Sequence, residues 1–111
     1  MFAGDGRMKK FGSVTASRMG ELLQKQDSLL LDCRKLKDYK DGHIEDALHA
    51  HDGLVESLIK KGERSKCIVI YCYTGHSSEH LAELFTSFGF NDVYSVEGGY
   101  ASWQQLRANK S

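Results

Sequence analysis

Neither sign of charge dominates this sequence. Its 15 Lys and Arg residues are matched by 15 Asp and Glu, for a formal net charge of zero. A nucleic-acid-binding footprint is normally basic, so that function class loses its support. Long apolar runs are also missing, and none approaches the length of a membrane span. The opening stretch MFAGDGRMKK lacks the apolar core of a signal peptide. Cysteine is scarce, with three residues and no paired spacing. That argues against a disulfide framework and for free thiols in a reducing compartment, with the cytoplasm as the expectation. Internal repeats and low-complexity segments are absent.

What is present suffices for one domain. The 111 residues are 41% hydrophobic, long enough and apolar enough for a single core without staples. Residues 1–10 hold two glycines and mixed charges and read as a flexible N-terminal tail. Residues 11–107 then form a single domain.

Along that domain, short apolar runs alternate with amphipathic stretches. Residues 11–14 suggest an edge strand. Thr15 suits the N-cap of a helix over 16–25, with Met19, Leu22 and Leu23 facing inward. The run Leu29-Leu30-Leu31-Asp32-Cys33 reads as a buried strand. A helical turn over 35–40 and a weak strand over 47–50 follow, then a helix over 54–61 stopped by Gly62. Residues 67–71 form a second buried strand, and 78–88 carry the i, i+3, i+4, i+7 spacing of an amphipathic helix, with Gly89 just past its end. A last strand over 93–96 and a closing helix over 100–107, burying Trp103 and Leu106, complete the chain. This alternation predicts an open, mostly parallel α/β sheet covered on both faces. In such sheets the site lies beyond the carboxyl ends of the strands, where Asp32, Cys33, Arg34 and Cys72 all fall.

The chemistry concentrates at Cys72-Tyr73-Thr74-Gly75-His76-Ser77. A cysteine ending a buried strand, followed by a tight polar loop and a helix start, suits an anion. Backbone N–H groups from Thr74 through Ser78, with the hydroxyls of Thr74, Ser77 and Ser78, can converge there. A thiolate so placed has a lowered pKa and is a nucleophile. Gly75 permits the backbone of a tight cradle.

Several landmarks in order resemble the rhodanese family. They are Leu31-Asp32-Cys33-Arg34, Tyr39, Gly42-His43-Ile44 with Ala47, the Cys72 loop, Val96-Glu97-Gly98-Gly99 and Trp103. The loop is especially similar to that of short single-domain thiosulfate sulfurtransferases of the GlpE type. The resemblance implies a three-layer α/β/α fold with a five-stranded parallel sheet. It implies that Cys72 takes a sulfane sulfur from thiosulfate or a similar small donor and becomes a persulfide. The sulfur then passes to a thiophilic acceptor, cyanide or a thiol; no cofactor is implied. Many relatives carry Arg directly after the cysteine and at the loop end, where this chain has Tyr73 and Ser77. The pocket therefore carries less positive charge for a dianionic donor.

Each candidate has a plainer reading beside it. Cys33 and Cys67 read as inert core. Asp32 and Arg34 either brace the loop or form a surface ion pair. His43, His49 and His51 are spaced too loosely for a zinc site and lack a Cys pair, so no metal is expected. His76 and Tyr73 either line the pocket or are solvated. Other functions stay open below the sulfurtransferase reading. A sulfur-relay module would hand the persulfide to a partner protein. A rhodanese-fold binding domain would lack catalysis. A Cys-dependent phosphatase would want a longer loop ending in Arg, and Ser78 stands near that position.

Overall fold

The computed structural model describes residues 11–109, so the expected tail over 1–10 lies outside the described residues. The elements run β1 (Gly12–Thr15), α1 (Met19–Leu23), β2 (Leu29–Asp32), α2 (Leu36–Asp41), β3 (Leu48–His49), α3 (Asp52–Lys61), β4 (Ile68–Tyr71), α4 (His76–Ser87), β5 (Val93–Glu97) and α5 (Gly99–Ala108). The five strands form one sheet in the order β1-β5-β4-β2-β3, with every pairing parallel. Among the described residues, no helix is long and apolar enough to cross a membrane.

Side-chain alternation splits the core into two layers. On one face, Leu31, Ile68, Ile70 and Val93 pack with Val55 of α3 and with Ala82 and Phe85 of α4. On the other, Leu30, Val69, Tyr71 and Val96 pack with Met19 of α1, and Tyr100 and Trp103 of α5 lie against them. The central strand β4 is buried on both faces, which explains why Ile-Val-Ile-Tyr is apolar throughout rather than alternating. The result is the three-layer α/β/α arrangement expected from the sequence.

Two helix starts and one burial assignment differ from expectation. Thr15 does not cap a helix, because the ladder with β5 extends through the pair Thr15↔Glu97. Its hydroxyl meets Ser17 Oγ at 3.1 Å, and α1 starts only at Met19. The helix α4 starts at His76, not Ser78, so the loop after β4 is shorter and its last residues form the first helical turn. Trp103 and Leu106 are half-buried rather than buried. Trp103 stacks on Tyr100 with its ring centroid 5.4 Å away and carries the Arg107 guanidinium at 4.9 Å.

Phe85 anchors the α3/α4 layer. It is fully buried and meets Phe90 edge-on at a centroid distance of 5.2 Å. Phe85→Ala leaves a cavity between α4 and the sheet, and we expect a loss of about 3–5 kcal/mol in urea unfolding. A loss below about 1 kcal/mol would show that the layer collapses freely around the gap.

Candidate active site

The strands β2, β4 and β5 end side by side, and the loop after β4 closes over their ends. The Cys72 side chain sits there with only 2% of the residue exposed. The Gly75 N–H donates to Cys72 Sγ at 3.0 Å. Ser78 Oγ lies 3.5 Å from the same sulfur and 3.1 Å from the Gly75 carbonyl. Ser95 Oγ of β5 meets Ser78 Oγ at 2.8 Å, and both serines are buried. Once Cys72 loses its proton, Ser95 can donate to Ser78 and Ser78 to the sulfur.

These donors lower the Cys72 pKa to about 4. The largest cause is the neighbouring Cys33 thiol; burial opposes it, and the hydroxyl and N–H of Ser78 and the N–H of Gly75 add to it. Cys33 packs against the core as expected, yet it is only half-buried and faces the Cys72 sulfur. The register explains why. Asp32 pairs with Tyr71, and the Cys33 N–H donates to the Tyr71 carbonyl at 3.0 Å, so Cys33 and Cys72 occupy the next rung. The hydrogen bond to Cys72, burial and the Cys72 charge all push the Cys33 thiol far up, so it stays protonated. Strand periodicity was the available signal: Leu29, Leu31 and Cys33 share a face, as do Ile68, Ile70 and Cys72. Cys67, at the opposite end of β4, is buried and raised to about 11, chiefly by that burial.

The first turn of α5 fixes the back of the loop. Tyr100 N–H donates to the Cys72 carbonyl at 2.7 Å, and Ala101 N–H to the Tyr73 carbonyl at 3.2 Å. With those carbonyls held outward, the Gly75 N–H is left to the sulfur. Gly99 makes the approach possible. Its φ is +54°, and a Cβ there would stand 2.3 Å from the Cys72 carbonyl oxygen. Gly75 itself has a φ of +122°.

Asp32 and Arg34 are not a surface pair. Arg34 Nη2 lies 2.8 Å from Asp32 Oδ2, with side-chain exposures of 5% and 0%. The same guanidinium nitrogen donates to the Gly42 carbonyl at 2.6 Å. The guanidinium also sits over the Tyr100 ring at 3.8 Å and reaches the Tyr71 and Tyr73 rings at 5.8 Å. Arg34 thus ties β2 to the loop before β3, to the Cys72 loop and to α5. Tyr73 is exposed, and its hydroxyl donates to Asp38 and accepts from the Lys35 N–H at 3.2 Å. Thr74, His76 and Ser77 are exposed at the loop's outer side.

The remaining histidines have other work. His43 stacks on Tyr39 at 3.9 Å, His49 Nε2 donates to the Arg34 carbonyl at 2.7 Å, and His51 Nδ1 accepts the Leu54 N–H at the start of α3. Among the described residues, no three His, Cys, Asp or Glu side chains converge as a metal site.

Residues 15–106 match the rhodanese-like domain family. The chain belongs to the rhodanese family. Among its relatives, a thiosulfate sulfurtransferase GlpE of Coxiella burnetii is 34% identical over 84 residues, covering 76% of this chain and 78% of that one. Another, from Pseudoalteromonas translucida, is 31% identical over 100 residues, covering 90% and 95%. The rhodanese-like domain of an Anabaena protein, solved by NMR, superposes with a TM-score of 0.73 at 27% identity, over 85% of this chain and 74% of that one. Within this rhodanese fold, the loop lacks the arginines of the commoner pattern, and Arg34 does not replace them because Asp32 and Gly42 already hold it.

The docking of α5 generates a test. Gly99→Ala forces a Cβ into the Cys72 carbonyl at a positive φ, and we expect a loss of about 1–3 kcal/mol in denaturant unfolding. Gly20→Ala is the contrast, since Gly20 lies in α1 with open space around it. That change should be neutral or stabilise by about 0.5–1 kcal/mol. Equal effects at the two positions would contradict the close approach at Gly99.

Proposed function

We propose that this protein is a sulfurtransferase that carries a sulfane sulfur on Cys72. The observation behind it is a buried thiol, its pKa lowered to about 4, facing neutral donors at the end of β4. At neutral pH that group is a thiolate and attacks the outer sulfur of a donor such as thiosulfate, releasing sulfite. The persulfide that results is also an anion, and the N–H groups of Gly75 and Ser78 suit its charge. A thiophilic acceptor, cyanide or a thiol, then attacks the outer sulfur, and Cys72 leaves readily as a stabilised thiolate. Asp32 and Arg34 position the loop and α5 through Tyr73 and Tyr100 rather than touching the donor. The three free thiols are consistent with a reducing compartment such as the cytoplasm. A phosphatase needs a cation aimed at its oxyanion, and the Arg34 guanidinium beside Tyr73 is committed to Asp32.

Mass spectrometry of the intact protein tests the carrier directly. After brief exposure to thiosulfate, the chain should gain one sulfur atom and lose it to cyanide. Cys72→Ser should gain none, while Cys67→Ser should behave as the parent because Cys67 lies at the far end of β4. Sulfur uptake by Cys72→Ser would sink the assignment.

The missing loop cations bear on the donor. Ser77 is exposed in the first turn of α4, so an Arg there can point at solvent and at an incoming dianion. Ser77→Arg should lower the thiosulfate KM about tenfold and change kcat less, the signature of ground-state binding. An unchanged KM in the folded variant would show that charge near the loop does not limit donor binding.

A further inference from the structure

Cys33 is more than a hydrogen-bonding neighbour of the nucleophile. It occupies the rung beside Cys72 on adjacent parallel strands; Cys33 packs in the α3/α4 layer, and Cys72 Sγ reaches Ser78 of α4. Adjacent strands are about 4.8 Å apart. That falls within the Cα separation of about 4.4–6.8 Å that a disulfide spans. Cys33 also opens on a groove of 780 Å³ between α3 and α4, lined by Ala50, Val55, Ser77, His80 and Leu81 among others. One sulfur of the pair is therefore enclosed, and the other is reached from solvent.

We propose that Cys33 is a resolving thiol that gives this protein a second activity, the reductive release of sulfide. The proposal rests on Cys72 carrying a persulfide. The Cys33 sulfur attacks the Cys72 Sγ of that persulfide. The Cys33–Cys72 bond forms, the bond between Cys72 and its outer sulfur breaks, and the outer sulfur departs as hydrosulfide. The proton of the Cys33 thiol leaves on it. The sulfane sulfur gains two electrons, which the two cysteine sulfurs supply as they become a disulfide. A dithiol from solvent then reduces the bond. It attacks the Cys33 sulfur, which faces the groove, and Cys72 leaves as the thiolate of lower pKa, the favoured direction of thiol–disulfide exchange.

In the free protein Cys33 stays a thiol, because its hydrogen bond to Cys72, its burial and the Cys72 charge all raise its pKa. The resolving step is confined to the loaded state, because only there does Cys72 carry a sulfur that can leave.

The test uses the full chain under anaerobic conditions. Reduced protein is loaded with thiosulfate, small molecules are removed, and intact mass and free sulfide are followed without added thiol. The expected course is decay of the species heavier by one sulfur into one lighter than the starting protein by two hydrogens. One sulfide should appear per chain, and peptide mapping should place the new bond between Cys33 and Cys72. Cys33→Ala also removes the largest donor to the Cys72 thiolate, so each variant is first loaded to the same added mass as the parent. From that point Cys33→Ala, and Cys33→Ser with its hydroxyl donor kept, should hold the added sulfur and release no sulfide. Persistence of the heavier species in the parent, or equal sulfide release from a Cys33 variant, overturns the resolving role and leaves Cys72 as carrier intact. If the parent gains no sulfur and forms no disulfide, the carrier reading fails, and the resolving role fails with it.

Discussion

A negative charge on an enclosed sulfur is the constraint on which the site depends. Cys72 is 2% exposed, so water cannot solvate its thiolate, and burial alone would push its pKa upward. The protein answers with neutral donors rather than cations. Gly75 N–H, the hydroxyl and N–H of Ser78, and the Cys33 thiol each face the sulfur. Such a cradle suits the proposed step from thiolate to persulfide, in which the charge moves outward, because no single cation fixes it at one atom.

The rest of the fold delivers those donors. The loop can turn its N–H groups to the sulfur only if its carbonyls are held elsewhere, and the first turn of α5 holds two of them. That turn reaches the loop because Gly99 has no side chain. Arg34 in turn holds Tyr100 and Tyr73 against the ends of the strands, with its own charge met by Asp32. A buried ion pair that loses one partner leaves an uncompensated charge, which costs about 3–5 kcal/mol. The frame is therefore stiff, and its cation is unavailable to a donor.

Much of this was legible in the residues. The buried run ending at Tyr71, the helical spacing after it and the polar loop between them pointed to Cys72 as the candidate nucleophile before any coordinates. The alternation of elements gave the parallel sheet, and Gly98-Gly99 stood among the landmarks of the family resemblance. Other features depended on partners distant in sequence. Thr15 looked like an N-cap, but the ladder with β5 claimed it. Asp32 and Arg34 could be read either as a brace for the loop or as a surface pair, because nothing in their neighbourhood revealed the tyrosines that cover them. Cys33 looked inert because its importance lies in register, and register between β2 and β4 is set across nearly forty residues of intervening chain.

The most direct test of the account is to learn which cysteine carries the charge. NMR of the Cβ carbons in cysteine-labelled protein, followed against pH, reports each thiol separately. A thiolate becomes more populated as pH rises through its pKa. Cys72, at about 4, should therefore be ionised throughout the neutral range and gain its proton only in acid. The same thiol in the unfolded chain titrates near 8.5. Folding between about pH 4 and 8.5 thus releases a proton, and this contribution to stability falls as pH falls through the window. Cys33, shifted the other way, should remain a thiol across the neutral range. A neutral Cys72 beside an ionised Cys33, or two thiols titrating together near the free value, would contradict the account.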